Sequence, residues 1–410
     1  MHNVTQLKRT RDPGRKRGAL REEKEEIEQG EVVYPYFIPV EENYGPRVVM
    51  DGREVIMVGS NNYLGLTRDP RVQEAAIKAI ERFGTSCSGS RFLNGTLELH
   101  EELENRLALF VKKPAALTFT TGYQTNLGSI SVMVDKQTLL IADKNTHACV
   151  FDGIFLGGGL NSGAKLRRYR HNDMDHLERI LEGMDPDAPK LIATDGVFSM
   201  EGDIADLPRL IELSKRYNAR LYVDDAHGLG VIGETGRGVL EHFDAFEDVD
   251  LVTCTFSKSF ASLGGFVAGD EDAIDYIKHH SRPLIFSASI PPANIAAALK
   301  SLEIIETEPD MIVGLQRKSE RMRNELASLG FDTGESETPI IPILLRDDRK
   351  TFQLWKALFD AGVYTNAVVS PAVPPERSLL RTSIMATHCQ EDLDSVLDAF
   401  EKTGRRMGII

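Results

Sequence analysis

At 410 residues the chain is long enough for two domains, or for one large domain with a small appendage. Its 41% apolar and 27% charged residues are those of an ordinary soluble globular protein. A formal net charge of -14 excludes a nucleic-acid binder as the working reading, and an anionic substrate would need a local pocket of Arg or Lys set against that field.

Cys87, Cys149, Cys254 and Cys389 are scattered and form no CxxC pair, so neither a disulfide framework nor a zinc site is expected, and no metal. No apolar run approaches the roughly 18 residues needed to span a bilayer. The basic N-terminus has no apolar stretch behind it and does not read as a secretory signal. The expected location is cytoplasmic, with at most peripheral contact with the inner face of the membrane.

Along the chain, residues 1–33 divide into a basic block (Lys8 to Arg17) and an acidic one (REEKEEIEQGE). Such blocks read as a solvated tail or helix, or, more sharply, as a contact with anionic headgroups or an arm on a partner subunit. RVVMDGREVIMV (47–58) predicts a hairpin turning at Asp51-Gly52. SNNYLGL (60–66) breaks the periodicity, 70–83 reads as a helix, and GTSCSGSRFLNGT (84–96) as a Gly/Ser loop before the helix 100–111. From 115 to about 295 apolar strands (115–119, 139–143, 190–194, 219–225, 250–256) are separated by helices, among them one from 122 and one at 207–217. That alternation predicts an α/β fold whose mainly parallel sheet is covered on both faces. A helical stretch at 295–330, broken near Glu308-Pro309, is followed by a strand (339–346), a helix (350–361), the loop VVSPAVPPERS, LLRTSIMA (379–386) and a last helix (390–404). The division predicted is an N-terminal segment 1–58, a large domain 59–294 and a smaller α+β domain 295–410.

In an open parallel sheet, ligands sit at the carboxyl ends of the strands. Asp143 and His147, Asp195 and Ser199, Asp224 and His227, and Lys258 all fall at such ends. Lys258, in LVTCTFSKSFASLGG, is the centre of the reading. Its amine can form a Schiff base with an aldehyde, and Thr255, Ser257 and Ser259 beside it can hold a phosphate. Pyridoxal phosphate asks for both at once, although the stretch alone also fits a solvated lysine. A buried carboxylate, for which Asp224 is the candidate, would keep the pyridine nitrogen of such a cofactor protonated. His227 could reach the ring oxygen and His147 could stack on the ring. Gly122, opening a helix after a strand, permits close approach of a phosphate. Arg381, on an otherwise apolar strand, needs a partner, and its fork fits a substrate carboxylate or a structural ion pair. GLGVIG (228–233) matches a dinucleotide fingerprint but is followed by ETGRG, which cannot open a helix, and HEELE (100–104) lacks a second metal-binding His. Both are set aside.

NNYLG, GSRFLNGT, TGYQTNLG, DKNTHACVFDG, DGVFSMEGD, VDDAHGLG, TFSKS and LLRTSIMATH occur in this order, and with them the chain resembles the α-oxoamine synthase family over roughly residues 35–408. The resemblance implies a pyridoxal-phosphate enzyme of fold type I that condenses a small amino acid with an acyl-CoA, releasing CO2 and CoA. SRPLIFSASIPP (281–292), VVSPAVPP, SLLRTSI and the ending GRRMGII resemble most the branch that joins L-serine to palmitoyl-CoA, giving 3-ketosphinganine for sphingolipid synthesis. Relatives using glycine or alanine run the same chemistry. The resemblance further implies Lys258 as the lysine bound to the cofactor, Asp224 at the pyridine nitrogen, His147 stacked on the ring, and Ser199 and His227 at the ring oxygen. Gly122, Tyr123, Thr255 and Ser257 would hold the phosphate, with Ser287 reaching in from a second subunit. Arg381 with Asn61 or Asn62 would bind the amino-acid carboxylate, and a homodimer with sites at its interface is implied. Val369 stands where some members of that branch carry a mobile-loop arginine, so Arg377 is a candidate stand-in.

Overall fold

The structure, a computed structural model, describes residues 34–135, 137–158, 165–370 and 372–410; the charged blocks of 1–33 lie outside them. In chain order its main elements are strands β1 (Val40–Asn43), β2 (Arg47–Met50) and β3 (Arg53–Met57), helices α1 (Pro70–Phe83) and α2 (Glu98–Phe110), β4 (Ala115–Phe119), α3 (Gly122–Met133), β5 (Leu139–Asp143), α4 (Ala148–Gly158) and β6 (Lys165–Tyr169). Then come α5 (Met174–Glu182), β7 (Lys190–Asp195), α6 (Leu207–Arg216), β8 (Ala219–Asp224), β9 (Leu251–Thr255), β10 (Gly265–Gly269), α7 (Glu271–His280), α8 (Pro292–Thr307) and α9 (Asp310–Leu329). Last are β11 (Ile340–Leu344), α10 (Asp348–Asp360), β12 (Val363–Tyr364), β13 (Asn366–Val368), β14 (Leu379–Ser383) and α11 (Gln390–Arg406).

The large sheet has seven strands in the order β4-β10-β9-β8-β7-β5-β6, and β10 alone runs against its neighbours. Its strands read as unbroken apolar runs because both faces are covered. On β7, Ile192 packs to one side while Leu191 and Ala193 pack to the other; on β8, Leu221 and Val223 oppose Tyr222 in the same way. β10 was not expected from the sequence: with Gly at both ends, GFVAG has weak strand propensity and is held by ladders to β4 and β9. β6 (KLRRY), polar for a strand, was likewise not foreseen. The GLGVIG stretch forms turns rather than a helix start, closed by an isolated bridge from Leu229 to Arg237.

The other two sheets bring distant segments together. β1, β2 and β3 form an antiparallel ribbon whose hairpin turns through Asp51 (φ 52°) and Gly52 (φ 66°), and β12 adds to it in parallel, pairing Val363 with Ile56. β11, β14 and β13 form the third sheet, with Arg381 on its central strand between Pro342 and Asn366. The segment after β3 is tied to β14: Ser383 N–H donates to the Val58 carbonyl (2.7 Å) and Ala386 N–H to that of Tyr63 (2.7 Å). Asn61 and Tyr63 thereby arrive beside Arg381. Among the described residues no helix is long and apolar enough to cross a membrane.

Gly65 closes the turn that carries these residues at φ 73°, with Thr387 against its α-carbon; an added Cβ would sit 2.9 Å from that of Thr387. Gly65→Ala should therefore lower stability by at least about 1 kcal/mol, from the left-handed backbone alone. Thermal melts should show part of the loss restored in Gly65→Ala/Thr387→Ala, and an unshifted melting temperature in the single variant would contradict this account.

Candidate active site

At the carboxyl ends of β7, β8 and β9 lies a cavity of about 150 Å3, lined among others by Lys258, Asp224, His147, His227, Gly122 and Thr255. Asp224 ends β8 and is 5% exposed. One carboxylate oxygen accepts from Asn126 Nδ2 (2.6 Å) and the other from the Ala226 N–H (3.1 Å). Asn126 lies on α3. Its Oδ1 accepts from Tyr222 Oη (2.7 Å) and Thr253 Oγ1 (2.9 Å), which fixes the amide with its N–H groups toward the carboxylate. Asn126 was not singled out from the sequence, although it stands in the TGYQTNLG motif; only the fold shows that it faces β8.

Lys258 follows β9 in the turn that leads to β10. Burial depresses its ammonium to about 8, with the Asp224 carboxylate opposing this and the Arg381 guanidinium adding to it. Desolvation wins, and the neutral amine is a far larger minority near neutral pH than for a solvated lysine. Among the described residues no carboxylate forms an ion pair with its Nζ. The end of β7 supplies Asp195, whose Oδ1 accepts the backbone N–H of His147 (3.1 Å). Burial, and then the neighbouring Asp224, hold the Asp195 carboxyl well above its ordinary value.

His147 sits at the cavity mouth, its imidazole lowered by burial of its packed side despite the pull of Asp224. His227 is buried and its Nδ1 lies 2.7 Å from Tyr63 Oη; burial, Lys258 and Arg381 keep it neutral. The end of the cavity beside α3 is equally defined. Thr121 caps α3 by accepting from Gln124 N–H (3.1 Å), Gly122 is the first residue of the helix, and a Cβ there would fall 2.6 Å from that of Thr255. Thr255 Oγ1 and Ser257 Oγ lie 2.9 Å apart beside that N-terminus. Backbone donors, two hydroxyls and the absence of a side chain at Gly122 make a cradle for a phosphate. Tyr123, hydrogen-bonded to Asp152 and so raised to about 12, walls its outer side. Ser287 Oγ accepts from Gln124 Nε2 (3.0 Å) of the same chain.

Arg381 is 4% exposed, and its hydrogen-bond partners among the described residues are neutral oxygens: the Ser199 carbonyl, Ser383 Oγ (2.8 Å) and Tyr63 Oη (3.2 Å). A buried guanidinium without a carboxylate partner is poised to accept one from outside. The structure also separates the two asparagines. Asn61 Oδ1 accepts from Tyr63 Oη (3.3 Å) on the Arg381 side, whereas Asn62 donates to Thr67 Oγ1 (2.8 Å) and closes its own turn. Ser199 meets Arg381 through its backbone. Arg377 is paired with Glu201 (2.8 Å), which also accepts from Asn145 (2.8 Å), so its charge already has a partner; Val369 is buried. His100 of HEELE caps α2 by accepting the Leu97 N–H (3.0 Å).

The set fits pyridoxal phosphate part by part. A desolvated lysine can take the aldehyde, a buried hydrogen-bonded carboxylate can face a pyridinium, and the α3 N-terminus with Thr255 and Ser257 can take the phosphate.

Because Lys258 binds its proton more weakly folded than unfolded, the unfolded chain holds more protons between pH of about 8 and the ordinary 10.5. Stability of the cofactor-free protein should therefore gain a rising component across that window, the burial penalty being fully present below it. Lys258→Met should lack that component in denaturation midpoints measured from pH 7.5 to 10; a slope equal to wild type would contradict the burial argument.

The family profile described as Aminotransferase class I and II matches residues 53–400. A serine palmitoyltransferase of Sphingobacterium spiritivorum is 49% identical over 366 residues, covering 89% of this chain and 90% of that protein. An 8-amino-7-oxononanoate synthase of Thermoanaerobacter pseudethanolicus is 42% identical over 392 residues, 95% of this chain and 98% of that protein. Among solved structures, SPT with PLP as internal aldimine superposes with a TM-score of 0.92 at 35% identity, covering 98% of this chain and 100% of that one. The chain belongs to the class I and II aminotransferase family, and its fold is that of the pyridoxal-phosphate enzymes of fold type I.

Proposed function

We propose that this chain is a pyridoxal-phosphate-dependent acyltransferase that condenses L-serine with palmitoyl-CoA, releasing CO2 and CoA and giving 3-ketosphinganine, the first step of sphingolipid synthesis. The observation that carries the reaction class is a buried Lys258, its ammonium lowered to about 8, lining one cavity with Asp224, with Arg381 held by neutral oxygens nearby. The choice of serine and a long acyl chain rests on the 49% identity to a serine palmitoyltransferase.

When bound, pyridoxal phosphate supplies an electron sink for the negative charge that develops at the amino-acid Cα. The chain's own groups do the rest. Lys258 Nζ holds the cofactor at rest and, once displaced by the substrate amine, takes the Cα proton as a base whose pKa is already lowered toward neutrality. Asp224, kept in place by Asn126 and the Ala226 N–H, holds the proton on the pyridine nitrogen. His147 covers the ring, with Ser199 and His227 at the ring oxygen. Gly122, Tyr123, Thr255 and Ser257 hold the phosphate, and Ser287 of a second subunit completes that end. Arg381, with Asn61, receives the serine carboxylate and orients the bond that breaks when CO2 leaves.

A homodimer with sites at its interface is part of the proposal. Support comes from apolar side chains left exposed: Phe286 at 72% and Leu93 at 79%, on two segments joined by the Ser289 N–H to the Gly89 carbonyl (2.9 Å). A cytoplasmic location, with any membrane contact peripheral, belongs to the same reading.

Purified protein with pyridoxal phosphate should release CoA from palmitoyl-CoA in the presence of serine. Turnover with alanine or glycine in preference to serine would move the assignment to another member of the branch, for which the 42% relative is the precedent. Lys258→Ala should abolish turnover and the cofactor's Schiff-base absorbance together. Arg381→Lys keeps the charge but loses the fork, so the KM for serine should rise about tenfold or more while cofactor affinity is unchanged.

A further inference from the structure

Among the cavity-lining side chains to which the proposed reaction gives no role, one touches the ring of His147. Cys149, on the first turn of α4, places its Sγ 2.8 Å from Nδ1 of His147, and its backbone N–H points at the same nitrogen from 3.3 Å. On its other side Sγ accepts from Asn126 Nδ2 (3.1 Å), whose amide also donates to Asp224. The helices approach closely enough for this because Gly153 of α4 lies against α3, where a Cβ would be 2.9 Å from the Asn126 carbonyl oxygen.

We propose that Cys149 is a positioning residue for His147: its thiol and its backbone N–H both donate to Nδ1, so the neutral imidazole carries its proton on Nε2 and presents a hydrogen-bond donor to the cavity. The inference rests on the reading proposed above, in which His147 covers the ring inside the cavity. The reverse tautomer would set an Nδ1–H against the Cys149 N–H at 3.3 Å, two donors facing each other, so the backbone contact disfavours it, and the closer thiol donor at 2.8 Å decides the balance. A thiolate–imidazolium pair is excluded. Burial and Asp224 push the Cys149 thiol far up, while burial lowers His147, so both partners are neutral.

The chain of donors runs in one direction. Tyr222 and Thr253 fix the Asn126 oxygen, Asn126 then donates to both Asp224 and Cys149, and Cys149 donates onward to His147. The groups facing His147 are Asp195 on β7, Asp224 and His227 at the end of β8, Lys258 after β9, and Cys149 and Asp152 on α4. None of the carboxylates accepts a hydrogen bond from its ring. A donor at Nε2 suits a developing or resting negative charge on substrate oxygen, such as a carboxylate or the oxygen of a thioester under attack.

The test uses holoenzyme labelled with 15N-histidine, with His147→Gln identifying the signal. In wild type without substrate, near pH 7.5, the His147 side-chain shifts should report Nε2 protonated and Nδ1 as acceptor. Cys149→Ser should keep that pattern; Cys149→Ala should admit the other tautomer and lower kcat/KM for serine on the order of tenfold, the cost of one orienting hydrogen bond, at unchanged cofactor affinity. A wild-type imidazole protonated on Nδ1 overturns the proposal, as does a Cys149→Ala enzyme with wild-type shifts and wild-type kcat/KM. The spectrum is read before any substrate is added. Inactivity with serine and palmitoyl-CoA would thus undo the functional assignment and leave the tautomer result standing.

Discussion

A single buried carboxylate governs the arrangement. Removing an ion such as that of Asp224 from water costs several kcal/mol even after relaxation, and a lone carboxylate in that position would neutralise instead. It is offset by two short donors, Asn126 Nδ2 and the Ala226 N–H, and by the nearby Lys258. Each of these comes from a different part of the chain. Asn126 is delivered by the packing of α3 on the sheet, Ala226 by the turn that ends β8, and Lys258 by the turn between β9 and the antiparallel β10. The seven-stranded sheet serves to bring these three to one point.

The same constraint explains which parts of the site could be read from residue order. Strand ends carrying Asp, His and Lys are visible in a sequence because a buried strand is an unbroken apolar run and its polar terminus stands out, as in LYVDD and LVTCTF. Arg381 stood out for the same reason. What periodicity could not show was the direction in which a loop side chain points. Asn61 and Asn62 are adjacent and chemically identical, yet one faces Tyr63 and the other caps its own turn at Thr67. Asn126 lies on a helix whose polar residues, Gln124, Thr125, Asn126, Ser129 and Ser131, are spread around the axis, so no polar face marked it. Its role depends on a contact across 98 positions of chain. β10 was hidden because its glycines look like loop, and its strand state is imposed by two neighbouring ladders.

Arg377 illustrates a similar limit. A cation near the mobile-loop sequence was a reasonable stand-in for a carboxylate clamp, and nothing in the sequence assigned it to Glu201, 176 positions earlier. With Arg377 so occupied, Arg381 stands as a buried guanidinium without a carboxylate partner among the described residues. That guanidinium is held by neutral oxygens, which fix its fork without cancelling its charge. An ion pair at this position would have stabilised the resting protein and removed the driving force for taking up an anionic group. A buried guanidinium with no counter-ion among the described residues lowers the stability of the resting protein.

Two carboxyl groups end neighbouring strands, Asp195 on β7 opposite Asp224 on β8, and the register places them side by side. Like charges that close in a buried site cannot both persist, so environment decides which keeps its proton. Asp224 accepts from an amide and a backbone N–H; among the described residues the Asp195 carboxyl accepts from the His147 N–H alone, and Lys258 is near both. The proton therefore stays on Asp195, in agreement with its strongly raised value. Its neutral carboxyl then holds the backbone of the loop that carries His147 without drawing charge away from Asp224. The asymmetry follows from the burial of Asp195, the neighbouring Asp224 and the fewer donors that Asp195 receives. It leaves the negative charge in the cavity beside Lys258, where a cationic ring would need it.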